Sequence, residues 1–258
     1  MPYSLARRLA AGETVFTGWC GLASPLVCEA LAREGFSAVA IDQQHGLWDT
    51  AATVNAIAAI HLAGASPIVR VPLAQFATVS RVLDFGAEGV IAPLINTPAD
   101  ARAFVAAAKF PPLGERSWGP HRAMTLGGMT DPKAHLREAN DLTVTLAMIE
   151  TRAALDDLDA IVATPGIDAV FVGPSDLSIT LSGGTVLDPH SVEVERALDR
   201  IVAAAQKAGK VPGAYCQNAD RAVALAARGF RFLAVGSDLQ FLRAGTAEQA
   251  KVLRLQGA

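Results

Sequence analysis

The sequence predicts an α/β fold, a closed (β/α)8 TIM barrel. Three observations carry this prediction: eight short apolar runs, helical stretches that alternate strictly with them, and a length of 258 residues, close to the roughly 250 of a typical barrel. The runs are residues 15–19, 38–42, 67–71, 89–93, 143–150, 168–172, 211–216 and 232–236. Each is almost continuously apolar, as parallel strands buried on both faces are. A doubly wound sheet is the alternative. It would need its strand order to reverse, and Gly18-Trp19-Cys20-Gly21 after the first run lacks the dinucleotide-binding G-x-G-x-x-G spacing. A single barrel domain is expected over residues 1–258.

Helix signals fill the intervals in order. Ser24-Pro25 sets a capping hydroxyl before a proline at the first helical position, and Gly35 closes that helix before the second strand. Gly64 closes the next helix, Thr97-Pro98 opens the one after strand four, and Asp131-Pro132 opens another. Gly209 and Gly229 end the helices before strands seven and eight. Residues 110–140 break the rhythm with few periodic apolar positions, and 183–189 form a shorter irregular stretch. Long irregular segments often serve as lids or binding loops. Because they come after strands four and six, both are expected on the C-terminal face, where barrel enzymes keep their chemistry.

Composition excludes several function classes. Hydrophobic residues make up 51% and charged ones 18%, which excludes disorder. Twenty-two basic against 25 acidic residues give a net charge of −3, so no basic field exists to hold nucleic acid or an anionic membrane. No run of about 18 apolar residues is present to span a bilayer. The first residues, Met1 to Thr14, lack the apolar stretch of a signal peptide. Cys20, Cys28 and Cys216 are odd in number and far apart, so they suggest neither a disulfide framework nor a zinc motif. A soluble, cytoplasmic, globular protein is expected.

In a barrel the informative residues are polar ones where strands end. Strand two ends in Asp42-Gln43-Gln44-His45-Gly46, strand three in Arg70 and strand five in Glu150. Strand six runs into Gly173-Pro174-Ser175-Asp176, and strand eight into Gly236-Ser237-Asp238. Glu150 and Asp176 fall on adjacent strands. Two carboxylates without a nearby His or Cys suit a hard ion such as Mg²⁺ or Mn²⁺, with substrate and water completing the octahedron; alternatively each caps its following helix. Arg70 at the end of an apolar strand needs an anion, either a substrate carboxylate or enolate or the carboxylate of Asp42. His45, the only one of five histidines near a strand end, reads as a general base oriented by Asp42 or as a satisfied loop histidine. Backbone N–H groups of Gly173 and Ser175 suit a carboxylate. None of Lys109, Lys133, Lys207, Lys210 and Lys251 falls at a C-terminal strand end. A keto-acid reaction here would therefore stabilise its enolate with a metal rather than with an imine.

Together, Asp42-Gln-Gln-His45-Gly, Arg70 in Pro-Ile-Val-Arg-Val-Pro, Ile149-Glu150-Thr151-Arg152 and Val172-Gly-Pro-Ser-Asp176-Leu resemble the HpcH/HpaI family of class II pyruvate aldolases over nearly the whole chain. The resemblance implies a metal-dependent lyase that reversibly cleaves 4-hydroxy-2-oxo acids to pyruvate, or hydroxypyruvate, and an aldehyde. It implies that Glu150 and Asp176 ligate Mg²⁺ or Mn²⁺, with Co²⁺ a further candidate. Arg70 matches the arginine that binds the keto oxygen, His45 the histidine tied to proton transfer, and Asp42 and Asp84 supporting carboxylates, Asp84 from a neighbouring subunit. The backbone around Gly173 and Ser175 would receive the pyruvate carboxylate. A homo-oligomer is implied, a trimer or a hexamer of paired trimers, with the last helix, over residues 238–255, exchanged between subunits.

Two departures stand out. Gln44 replaces a glutamate of many relatives, and Met148 replaces a glutamine of some. Trp118 in the long irregular segment is expected to line the aldehyde pocket, or else to pack that segment; Trp19 is wall or core, and Tyr215 and Cys216 are weaker candidates for the same pocket. The rival readings are an acyl-CoA ester lyase of the same superfamily and a catalytically reduced keto-acid-binding protein.

Overall fold

The computed structural model describes residues 4–254. Eight parallel strands, β1 (Val15–Cys20), β2 (Ala38–Asp42), β3 (Ser66–Arg70), β4 (Gly89–Ala92), β5 (Val144–Ile149), β6 (Ala169–Val172), β7 (Val211–Cys216) and β8 (Phe232–Val235), pair in chain order and close β8 onto β1. The predicted strand ends differ from these by no more than one residue. Around them run α1 (Ser4–Ala10), α2 (Pro25–Arg33), α3 (Thr50–Leu62), α4 (Phe76–Phe85), α5 (Pro98–Ala108), α6 (His121–Leu126), α7 (Pro132–Leu142), α8 (Arg152–Asp156), α9 (Leu158–Val162), α10 (Pro174–Leu181), α11 (Val192–Lys207), α12 (Ala219–Ala227) and α13 (Asp238–Leu253).

The two-residue period of a strand divides the apolar runs between two cores. Val15, Ala38, Ala40, Ile68, Ile91, Leu146, Ala169, Phe171, Phe232 and Ala234 fill the barrel interior. The intervening Val39, Ile41, Val69, Val90, Ala147, Val170 and Leu233 face the helices in a second, larger core. This double burial is why the runs read as continuous. It also fixes what lies at the top, because the inward series ends in Trp19, Asp42, Arg70, Met148, Phe171 and Tyr215, all of which line one cavity. At the opposite end Leu5 and Leu9 of α1 join the interior core, and the Leu5 N–H donates to the buried Glu88 Oε2 at 3.0 Å.

Helix starts follow the local signals. Thr97 and Asp100 form a reciprocal capping box, and the Asp131 side chain accepts from Lys133 N. Ser24 stands at an N-cap in extended conformation but its hydroxyl makes no cap bond there.

One expectation is corrected. Residues 110–140 do not sit on the C-terminal face and are not wholly irregular. The 11-residue α5 first carries the chain about 16 Å back along the barrel. The segment then forms α6 and α7 beside the starts of the strands. Lys109 at its root is buried, and its Nζ donates to Asn140 O, Thr143 O and Asp168 Oδ2, each at 2.7 Å. The shorter loop does lie with the C-terminal ends, where the His190 ring meets Gln217 just beyond β7. The final helix ends at Leu253, and Leu255 lies outside the described residues.

Candidate active site

The strand ends enclose a cavity of about 420 Å³. Of the residues singled out from the sequence, Trp19, Asp42, His45, Arg70, Met148, Gly173, Ser175, Asp176 and Tyr215 line it. Glu150 stands directly behind Gly173. Asp84 and Trp118 do not reach it in this chain. Asp84, in the last turn of α4, accepts from Arg116 Nη2 at 2.6 Å, and Trp118 packs on Phe110 and His135. Both belong to the far end of the barrel, and within one subunit Trp118 packs its own segment rather than lining this pocket.

Asp42 and Arg70 pair across neighbouring strands in register. Arg70 Nε and Nη2 donate to Asp42 Oδ1 and Oδ2 at 2.9 and 2.6 Å, a two-pronged contact between buried side chains. Asp42 also accepts from the Trp19 indole at 3.2 Å and from the backbone N–H groups of Gln44 and His45. Burial alone would raise the Asp42 carboxyl, but the hydrogen bonds and charge of Arg70, with the His45 N–H and the indole, hold it below the ordinary carboxylate value. Asp42 thus orients Arg70 and the β2–α3 turn, not the imidazole of His45, which is exposed in the cavity. The Arg70 guanidinium lies 4.9 Å from the Trp19 ring centre, and Trp19 stacks on Phe171 and meets Tyr215 edge-on, giving the cavity an aromatic floor.

Glu150 follows β5 and is 2% exposed. Its Oε1 accepts from Leu94 N at 2.9 Å. Leu94 is left-handed, with φ 51°, a conformation uncommon outside glycine. Burial, with Asp176 adding to it, pushes the Glu150 carboxyl up to about 7 against the smaller opposing effects of the Leu94 N–H and Arg70. Gly173, the N-cap of α10, is glycine because a Cβ there would fall 2.5 Å from Glu150 Oε2 and 2.6 Å from Met148 Cε. Beyond Pro174, which has no N–H, the first amides of α10 face the cavity without an intrahelical partner.

The donor set fits a hard divalent cation. Among the described residues no group of three His, Cys, Asp or Glu side chains is placed to hold an ion, but two carboxylates beside an open cavity leave positions for substrate and water oxygens. A cation there would also relieve the unfavourable charge that raises Glu150. Among the described residues no lysine lines the cavity, and Lys109 is committed at the other end of the barrel.

Sequence reasoning assigned no role to Leu94 or Asp238. Asp238, which lines the cavity, accepts from Gly21 N and Leu239 N on Oδ1 and from Leu22 N on Oδ2, at 3.1, 2.8 and 2.8 Å. Its place after Gly236-Ser237 at the end of strand eight was the available signal. Gln44 leaves its buried Oε1 with no hydrogen-bond partner, and Met148 presents a thioether to the cavity wall.

The chain is similar to known proteins along most of its length. The profile of the HpcH/HpaI aldolase/citrate lyase family matches residues 16–244. A hydroxypyruvate/pyruvate aldolase of Rhizorhabdus wittichii is 38% identical, covering 92% of this chain and 93% of that protein. A 5-keto-4-deoxy-D-glucarate aldolase of Klebsiella pneumoniae is 32% identical, covering 98% and 97%. The crystal structure of an HpcH/HpaI aldolase from Desulfitobacterium hafniense superposes with a TM-score of 0.90 at 29% identity, covering 98% of both chains.

Proposed function

The chain belongs to the HpcH/HpaI aldolase/citrate lyase family, and we propose that it is a metal-dependent aldolase acting on 4-hydroxy-2-oxo acids, with pyruvate or hydroxypyruvate as the donor half. The observation that carries this reading is the cavity's charge pattern. Asp176 and an anchored arginine line a cavity that, among the described residues, no lysine lines, and a second carboxylate, Glu150, stands behind Gly173 at its wall.

In this reading Glu150 and Asp176 hold Mg²⁺, Mn²⁺ or Co²⁺. When bound, the ion supplies Lewis-acid stabilisation of the charge that develops on the keto oxygen. The exposed amides at the start of α10, around Gly173 and Ser175, receive the substrate carboxylate. Arg70 spends Nε and Nη2 on Asp42, which leaves Nη1 to face the keto oxygen as a second fixed cation. Because Asp42 locks the guanidinium, that charge needs no rearrangement during reaction. His45, the cavity's one exposed imidazole, moves the proton of the donor methyl group. The aromatic floor of Trp19, Phe171 and Tyr215 excludes water from below. A coenzyme A ester would need cations for its phosphates, and among the described residues of one chain Arg70 is the one arginine or lysine that lines the cavity.

A homo-oligomer, trimer or hexamer, belongs to this proposal. Of the 16 residues of α13 only Asp238 is buried, while Leu239, Phe241, Leu242, Val252 and Leu253 are exposed; exchange between subunits would cover this face. Asp84 and Trp118 then enter only as residues that one copy lends to a neighbour's cavity. Three free, buried cysteines suit a reducing compartment, the cytoplasm. Among the described residues no helix is long and apolar enough to cross a membrane.

The test is cleavage of a 4-hydroxy-2-oxo acid followed through pyruvate release. Chelation is expected to abolish activity and Mg²⁺ or Mn²⁺ to restore it. Full activity after exhaustive chelation, or a borohydride-trapped pyruvate adduct, would overturn the proposal.

A further inference from the structure

We infer that Asp238 is a positioning residue for proton transfer: through two peptide planes at the end of β1, its carboxylate holds the turn that carries His45. This inference rests on the aldolase reading, in which His45 moves the methyl proton, and adds a residue that acts on the imidazole without touching substrate.

The imidazole stands exposed in the cavity, so its place is set first by the backbone of the β2–α3 turn. That turn is fixed from two sides. On one, the N–H groups of Gln44 and His45 donate to Asp42 Oδ1 at 3.1 and 3.3 Å. On the other it leans on the end of β1, where Leu47 N donates to Gly21 O at 2.8 Å and the Trp48 indole to Cys20 O at 2.9 Å. The approach is close: a Cβ at Gly46 would lie 2.8 Å from Gly21 O. A shift of the Gly21 backbone therefore carries the His45 turn with it.

Asp238 grips the same two peptide planes from behind. The plane joining Cys20 to Gly21 receives the Trp48 indole on its carbonyl and gives its N–H, that of Gly21, to Asp238 Oδ1 at 3.1 Å. The plane joining Gly21 to Leu22 receives Leu47 N on its carbonyl and gives its N–H, that of Leu22, to Asp238 Oδ2 at 2.8 Å. A peptide plane is rigid, so fixing its N–H edge fixes its carbonyl edge. Hydrogen bonds to an ionised acceptor are the strong ones, and Leu239 N adds a third at 2.8 Å, on Oδ1. Asp238 is buried with both oxygens on amides, which makes it a brace and not a substrate ligand. All these bonds lie within one chain, and α13 beyond Asp238 is largely exposed. A neighbouring copy that covers α13 or meets His45 adds contacts without replacing them.

The test measures methyl exchange in D₂O against pyruvate concentration for wild type, Asp238→Asn, His45→Ala and the double variant. Asparagine keeps the shape but turns one oxygen into a donor, so it satisfies one plane and opposes the other. A misplacement of about 1 Å costs on the order of 100-fold in rate. The expected result for Asp238→Asn is a kcat at least about tenfold lower, with KM for pyruvate and Mn²⁺ affinity within about twofold of wild type. In the His45→Ala background the same substitution should change the residual exchange by less than about twofold, because the imidazole it places is gone. An unmoved kcat, an equal loss in both backgrounds, or a loss of Mn²⁺ affinity overturns the inference. Asp238→Ala frees both planes without an opposing donor and decides the matter should the asparagine variant not fold; a smaller kcat loss than about tenfold there overturns the inference too. Wild-type exchange with an unmoved variant removes this inference alone, whereas no exchange by the wild type removes the aldolase reading beneath it as well.

Discussion

Gly173→Ala tests the metal site with one methyl group. The backbone at Gly173 has φ −95° and ψ 90°, which alanine adopts without strain. The added Cβ, however, would sit 2.5 Å from Glu150 Oε2 and 2.6 Å from Met148 Cε. Reaching ordinary contact requires a shift of about 1 Å. Met148 has the rotamers to swing aside. Glu150 does not move freely, because it is buried and tied to Leu94 N at 2.9 Å. Metal sites tolerate ligand displacements of about 0.2 Å, so the expected loss is about 10–100-fold in Mn²⁺ affinity. Overpacking should cost about 1–3 kcal/mol of stability. The assay is Mn²⁺ titration calorimetry on folded protein, alongside the double variant Met148→Ala/Gly173→Ala. Removing the thioether relieves only the harmless contact, so the double variant should bind as weakly as the single one. Wild-type Mn²⁺ affinity in folded Gly173→Ala would refute the placement of Glu150 as a ligand.

Four further outcomes follow from the same geometry. With Glu150 near 7 before an ion binds, Mn²⁺ affinity should fall about tenfold per pH unit below about 7 and level off above it; titrations between about pH 5.5 and 8 that show a constant affinity would contradict this. The same raised value means that the folded protein holds a proton the unfolded chain releases, so Glu150 costs stability as pH rises from 4.5 to about 7. Glu150→Gln should therefore abolish ion binding yet raise the metal-free urea midpoint at about pH 8. Asp42 has the opposite sign: held below 3.8, it contributes stability above that pH and loses it as pH falls through its folded value. Arg70→Ala should cost about 3–5 kcal/mol at neutral pH by stranding a buried carboxylate, and less in acid as that carboxylate protonates, in urea unfolding at two pH values. Lys109→Met should destabilise the fold without abolishing pyruvate methyl exchange, because its Nζ braces β5 and β6 at the far end of the barrel.

The strands were legible because a parallel barrel strand is buried on both faces, so apolar runs such as Ala38-Val39-Ala40-Ile41 have no competing explanation. The same burial made the site legible, since Asp42, Arg70 and Glu150 end such runs and a charge there must have a partner. What the local pattern did not carry was reach. Thr97-Pro98 announced α5, but only its traverse of the barrel shows that Trp118 falls at the opposite end from the cavity, where the last turn of α4 also leaves Asp84. Leu94 has no side-chain signal for its left-handed turn, and its role depends on a backbone N–H meeting a carboxylate 56 positions later. Asp238 reads as a helix-start acid; its grip on Gly21 and Leu22 exists only once β8 closes against β1.

The most direct test of the central claim is methyl hydrogen exchange of pyruvate in D₂O by NMR, with Mg²⁺, with Mn²⁺ removed before recording, and with EDTA. Enolate formation at Glu150, Asp176, Arg70 and His45 predicts loss of the methyl proton signal with either ion and none with chelator, and abolition in Arg70→Ala. No exchange with either ion, in folded protein that still binds pyruvate, would contradict the claim and leave a keto-acid-binding protein in its place.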